Sequence, residues 1–176
     1  MIKELGGKGG IGSHHSAAMQ SDTWLTPLQI ISRLGDFDLD PCAAPSPRPW
    51  PTAKHHIEKP MDGLAERWEG RIWLNPPYGS AIGAWLGKMA LHGSGIALTF
   101  ARTETQAWHK WIWPYAWGVL FLERRLNFRL PDGTDPRKNS GGPSALIAYS
   151  LEDRDILWRS GIRGFLVEMA KRTHGV

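Results

Sequence analysis

The stretch Gly70-Arg71-Ile72-Trp73-Leu74-Asn75-Pro76-Pro77-Tyr78-Gly79 sets a short apolar run directly against two successive prolines. The run reads as a buried strand, and the prolines end it, because each removes a backbone donor and fixes the direction of the chain. A second stretch, Phe37-Asp38-Leu39-Asp40-Pro41-Cys42-Ala43, alternates apolar and polar residues and stops as abruptly at small ones. Between the two lies Pro45-Ser46-Pro47-Arg48-Pro49-Trp50-Pro51, which can continue neither a helix nor a central strand and so reads as a loop. The span from Asp40 to Gly70 is short for the usual number of strands at this point of an open sheet.

Working outward, residues 81–91 and 104–113 carry helical patterning, and 95–101 and 117–123 read as strands. Residues 125–130 and 144–150 flank Pro131 to Pro143, thirteen residues without a large apolar side chain, read as a mobile loop. A short helix at 152–158 and an apolar stretch at 162–167 complete the chain. Upstream, Thr26 is placed to cap a helix of about two turns, with Pro27 at its first position and an end near Gly35. Helices alternating with apolar strands predict an α/β sheet covered on both faces, with antiparallel strands toward the C-terminus. In such a sheet, ligands sit outside the carboxyl ends of the strands, where the order of connection reverses. Asp40-Pro41-Cys42-Ala43 and Asn75-Pro76-Pro77-Tyr78 are therefore expected to open onto one edge.

With 176 residues, 21 Lys+Arg against 17 Asp+Glu, one Cys and ten Trp, the chain is read as one catalytic domain at 21–176 behind an N-terminal arm at 1–20. A single cysteine closes no disulfide within the chain, and the absence of a long apolar run or signal-peptide core predicts a cytoplasmic protein without membrane contact. The net charge of +4 favours an acidic partner. Most of the tryptophans are expected to pack in the interior. The arm is Gly-, Ser- and His-rich, a composition that buries too little surface to order itself. Its Gly7-Lys8-Gly9-Gly10-Ile11-Gly12 imitates a phosphate loop, but Ser13 and His14 replace the terminal lysine and hydroxyl residue, and no central strand fits before it. Nucleotide hydrolysis is not the expected activity on that ground.

Asn75-Pro76-Pro77-Tyr78 is the most specific signal, since a given four-residue string arises by chance in such a chain on the order of once in a thousand. The prolines leave the carbonyls of Asn75 and Pro76 without a local donor, so an amide oxygen and a backbone oxygen can converge in the crevice. Paired acceptors suit an uncharged NH2 group. On an aromatic base that nitrogen is a poor nucleophile, and acceptors on its hydrogens stabilise the positive charge that develops when it attacks. No metal and no covalent nucleophile are needed. Tyr78 can lay its ring on an unstacked base, an interaction of about 1–3 kcal/mol. Cys42 reads as packing rather than as a nucleophile.

The pattern Trp24-Leu25-Thr26-Pro27, Phe37 to Ala43, Asp62-Gly63-Leu64, Trp73 to Gly79 and Ser140-Gly141-Gly142-Pro143-Ser144 resembles the phage Dam-type DNA N6-adenine methyltransferases over about residues 21–165. The resemblance implies a compact Rossmann-like methyltransferase fold, with a mixed sheet flanked by helices, and S-adenosylmethionine as cofactor. It places Asp40, Pro41, Cys42 and Ala43 beside the methionine part of the cofactor, and Asp62 near its adenine or ribose. Trp24, Thr26 and Pro27 would close the pocket, with Asn75 at its catalytic end. The glycine-rich cofactor loop of ordinary dinucleotide sites is absent. Glu58 is a poor match for a ribose-binding acid.

A base within a duplex cannot present its amino group to a crevice, so the DNA partner must be double-stranded with base flipping, or single-stranded. Arg102, Arg124, Arg125, Arg129, Arg137 and Lys138 are the candidate phosphate contacts. Two other functions use parts of this pattern. Release-factor glutamine methyltransferases carry the same four residues on a different architecture, and a non-catalytic DNA-binding module could keep the fold alone.

Overall fold

A computed structural model describes residues 24–136 and 141–169. The elements are α1 (Leu28–Ile31), β1 (Leu39–Asp40), β2 (His55–His56), β3 (Ile72–Leu74), α2 (Ile82–His92), β4 (Gly95–Phe100), α3 (Gln106–Trp111), β5 (Gly118–Leu122), β6 (Ser144–Ala148), α4 (Leu151–Arg159) and β7 (Gly164–Glu168). The seven strands form one sheet in the order β2-β1-β3-β4-β6-β5-β7. The pairs from β2 to β4 are parallel, while β6 runs against both β4 and β5, and β7 against β5. The carboxyl ends of β1, β3, β4 and β5 therefore share one edge with the starts of β6 and β7.

Side-chain alternation with period two builds a core on each face. Ile72, Leu74, Ala97, Val119, Ala145 and Ile147 point to one face, where Trp85, Leu86 and Met89 of α2 and Trp108 of α3 cover them. Trp73, Ile96, Leu98, Leu120, Leu146 and Ala148 point to the other, beneath Ile30 and Ile31 of α1 and Leu157 of α4. Burial on both sides explains the unbroken apolar runs of β3 and β4. Four tryptophans, 68, 73, 85 and 108, are at most 7% exposed, as expected of core rings, whereas Trp158 is 72% exposed. Gly95, at φ +123°, lies where a Cβ would stand 2.1 Å from the Ile72 carbonyl oxygen, so only glycine lets β4 start tight against β3.

One local expectation is corrected, and two segments gain definition. The first helix is a single turn, with Pro27 at its N-cap in an extended conformation and no side-chain cap, so Thr26 does not cap it. Residues 125–130, which lead into the long loop, are irregular. They are tied to the upstream chain by one antiparallel bridge, Leu25 to Arg129. Residues 41–71 supply one two-residue edge strand, β2, which the loop-like composition conceals. The arm at 1–20 and the loop positions Arg137 and Lys138 lie outside the described residues.

Candidate active site

Chain order reverses at β1, because β2 is added on one side of it and β3 on the other. This is the switch point at which α/β sheets open a crevice. The two strand ends meet there, since β1 and β3 are parallel neighbours in register at Leu39 and Ile72, and the Cys42 thiol donates to the Asn75 carbonyl at 3.3 Å.

Asn75 leaves β3 on the face that carries Trp73. Its side-chain NH2 donates to the Trp24 carbonyl at 3.4 Å, which fixes the rotation of the amide and points the oxygen the other way. That Oδ1 is buried and has no hydrogen-bond partner among the described residues. Leaving such an atom unpaired costs about 1–3 kcal/mol, so a partner from outside the chain would be favoured there. The backbone expectation is half corrected. The Asn75 carbonyl is taken by Cys42, because the neighbouring turn reaches it, and only the Pro76 carbonyl receives no donor among the described hydrogen bonds. Pro76 is buried and Pro77 exposed.

Tyr78 stacks on Phe100 at the end of β4, with ring centroids 4.1 Å apart and planes 17° from parallel, and meets Phe128 edge-on at 6.3 Å. The residue keeps 37% of its surface exposed, so a flat ligand can still reach it. Crowding of the ring and the nearby Cys42 push the phenol up from its ordinary value, and it stays protonated.

The turn after β1 is shaped by Asp40. One carboxylate oxygen accepts from the Cys42 amide at 3.1 Å, and the other accepts from the Thr52 hydroxyl at 2.5 Å. The Pro41 carbonyl abuts Gly63, where a Cβ would sit only 1.8 Å away, so Asp62 and Gly63 are held against this turn. Asp62 is exposed and accepts from the Leu64 amide. Burial and the Asp40 charge raise the Cys42 thiol well above its ordinary value, so it is no nucleophile at neutral pH. Glu58 is spent on Arg48 and on the Ser46 amide, 2.8 Å away. Upstream, Trp50 donates its indole NH to the Thr26 carbonyl at 3.1 Å, while Trp24 Nε1 and Thr26 Oγ1 are buried without partners among the described residues. Thr52 and Trp50 carry no sequence signal of these roles, which arise only from the folded loop.

Burial pushes the Asp40 carboxyl up from 3.8 to about 6, against the pull of its two hydrogen bonds and the Arg48 charge. Between those values the folded chain holds a proton that the unfolded chain has released, so stability from this group falls as pH rises through the window. Asp40→Asn is expected to remove that slope while keeping the acceptor for Cys42. Denaturant midpoints taken from about pH 4 to about pH 7 check it, and a variant with the parent's slope would contradict it.

The sequence model of the family described as DNA N-6-adenine-methyltransferase (Dam) matches residues 13–157. The chain belongs to the Dam family. Comparisons with curated proteins and with solved structures returned no match. The mixed sheet flanked by helices is the Rossmann-like methyltransferase fold, and membership associates the chain with adenine methylation in DNA. Among the described residues no group of three or more His, Cys, Asp or Glu side chains is placed to hold a metal, and no helix is long and apolar enough to cross a membrane.

In this Dam-family chain the described candidate DNA contacts lie at the carboxyl edge of the sheet. Arg124 and Arg125 are exposed and line a groove of about 380 Å³ with Gln29, Asn127 and Arg163. Arg102 is exposed, with its guanidinium 5.6 Å from the Phe100 ring centroid. Arg129 is already paired with Asp135, so its charge is partly spent.

Proposed function

We propose that the protein transfers a methyl group from S-adenosylmethionine to N6 of an adenine removed from its stack. The observation that carries this reading is the orphaned Asn75 Oδ1, fixed by the Trp24 carbonyl at the switch point beside Tyr78. An acceptor held in place before the reaction costs no reorganisation when the amine nitrogen becomes positive. Together with the Pro76 carbonyl it binds both hydrogens of the amine and aims the nitrogen lone pair. Tyr78 supports the ring plane, and alignment provides most of the acceleration.

The residues present fit the cofactor. Trp24 Nε1 and Thr26 Oγ1 are buried donors without partners among the described residues, suited to a carboxylate, and Asn75 links this segment to the turn of Asp40, Pro41, Cys42 and Ala43, against which Asp62 is held. Asp40 acts through the turn it folds, and Pro27 closes the pocket. When bound, S-adenosylmethionine supplies an electrophilic methyl on a sulfonium centre.

The deciding experiment incubates the protein with labelled methyl donor and unmethylated DNA in double- and single-stranded form, then locates the modified base. Label in N6-methyladenine is expected. Label only in cytosine, in RNA or in glutamine side chains overturns the reading.

Arg102, Arg124, Arg125 and Arg129, with Arg137 and Lys138 from the loop, are assigned to the DNA backbone. Phosphate contacts weaken binding uniformly across sequences, and each contributes about 0.9 to the slope of log affinity against log salt. The double variant Arg124→Ala, Arg125→Ala is expected to lower that slope by about 2. Fluorescence anisotropy over a salt series reads the change, and an unaltered slope would remove both residues from the DNA interface.

A further inference from the structure

We propose that Ser144 is a second substrate-binding residue, whose hydroxyl hydrogen-bonds the ring edge of the adenine that Asn75 holds by its amine. The inference rests on the function proposed above.

Ser144 opens β6 at the carboxyl edge, is 1% exposed, and has a buried hydroxyl without a partner among the described residues. Its backbone does the structural work of pairing with Phe100. The side chain contributes nothing to the fold that alanine could not, and an unpaired buried hydroxyl is a net cost. Groups kept in that condition gather where a ligand completes them.

The position fits this explanation. Leu146 and Ala148 point to the α1/α4 face, so alternation sends Ser144 to the same face as its register partner Phe100. Phe100 is the ring on which Tyr78 stacks, and a Cβ on Gly142 would lie 3.5 Å from it, so the chain before β6 passes close to the aromatic stack. Asn75 stands on that face at the end of β3, two strands away across β4. Register carries Asn75 level with Leu98 and Leu146, two residues short of Phe100 and Ser144, so two strand spacings and two residues of rise set the two backbone positions about 12 Å apart. That separation is of the order of a purine's length with a hydrogen bond of about 2.9 Å at each end. A hydroxyl donates as well as accepts, which matches the ring nitrogens of adenine, all of them acceptors except the one bonded to the sugar.

The test compares Ser144→Ala with the parent by thermal unfolding and by steady-state methylation of unmethylated DNA. The expected result is an unchanged or raised unfolding midpoint with kcat/KM for DNA down about tenfold, the worth of one hydrogen bond, and KM for the methyl donor unaltered. Parent-like kcat/KM overturns the proposal, and so does a lowered midpoint, which would make the hydroxyl structural. Asn75→Ala runs alongside. If it is inactive while Ser144→Ala is parent-like, only the role of Ser144 fails. If both are parent-like, the site itself has been misplaced.

Discussion

Asn75→Ala is expected to lower the rate of methyl transfer by at least 10²–10³-fold, the loss seen when one preorganised partner of a developing charge is removed. The change should leave folding almost intact. What alanine removes is one long hydrogen bond to Trp24 and one oxygen that had no partner, and these oppose each other within about 1 kcal/mol. A radiolabel assay with DNA and a thermal melt on the same sample separate the two effects. Asn75→Asp sharpens the test. It keeps an acceptor but cannot donate to the Trp24 carbonyl, so activity should fall although an oxygen remains. An alanine variant with parent-like turnover would remove Asn75 from the chemistry.

Asp153→Ala is expected to be the most damaging single change to stability, at about 3–5 kcal/mol, since it strands a buried cation. Asp153, in α4, is 1% exposed and ties that helix to the starts of β3 and β4. It accepts from Arg71 Nε at 2.7 Å and from the Gly95 amide at 2.7 Å, bonds the Ser150 hydroxyl at 2.5 Å, and receives the cap of α4 through its own amide. Arg71 meanwhile donates to the carbonyls of Leu34 and Asp36 and lies 4.2 Å from the Phe37 ring centroid. Removing the carboxylate leaves that guanidinium without its counter-charge and the Gly95 amide without its acceptor, at the amino end of β3 and β4. For a domain whose whole stability is about 5–15 kcal/mol, this is a large fraction. Urea titration measures it, and a loss below about 1 kcal/mol would contradict the assignment.

The sequence was legible where a single side chain's environment decides the outcome. Ile72 to Leu74 and Gly95 to Phe100 are apolar without interruption because both faces of the sheet are covered, and that pattern needs no knowledge of neighbours. The convergence of Asp40 and Asn75 followed from the same reasoning, because parallel strands at a reversal of order must end together. What stayed hidden depends on partners distant in sequence. β1 and β2 are two residues each, held by backbone bonds such as His55 to Asp38 and Ile57 to Asp40, which no side-chain periodicity announces. The occupation of the Asn75 carbonyl by Cys42 joins residues 33 apart, and the Arg71–Asp153 pair joins residues 82 apart. The first helix starts one residue later than its composition suggests, with Pro27 as its N-cap, and it ends at Ile31 rather than near Gly35.

The amide of Asn75 has two faces that differ only by a half-turn, and the carbonyl of Trp24 chooses between them. The segment ahead of α1 thus works as a rotational latch: with it docked, the corner presents an oxygen, and with it released, the amide is free to swing round and offer hydrogens instead. Engineering that disturbs residues 24–27 thereby risks inverting the polarity of the corner while its backbone remains in place.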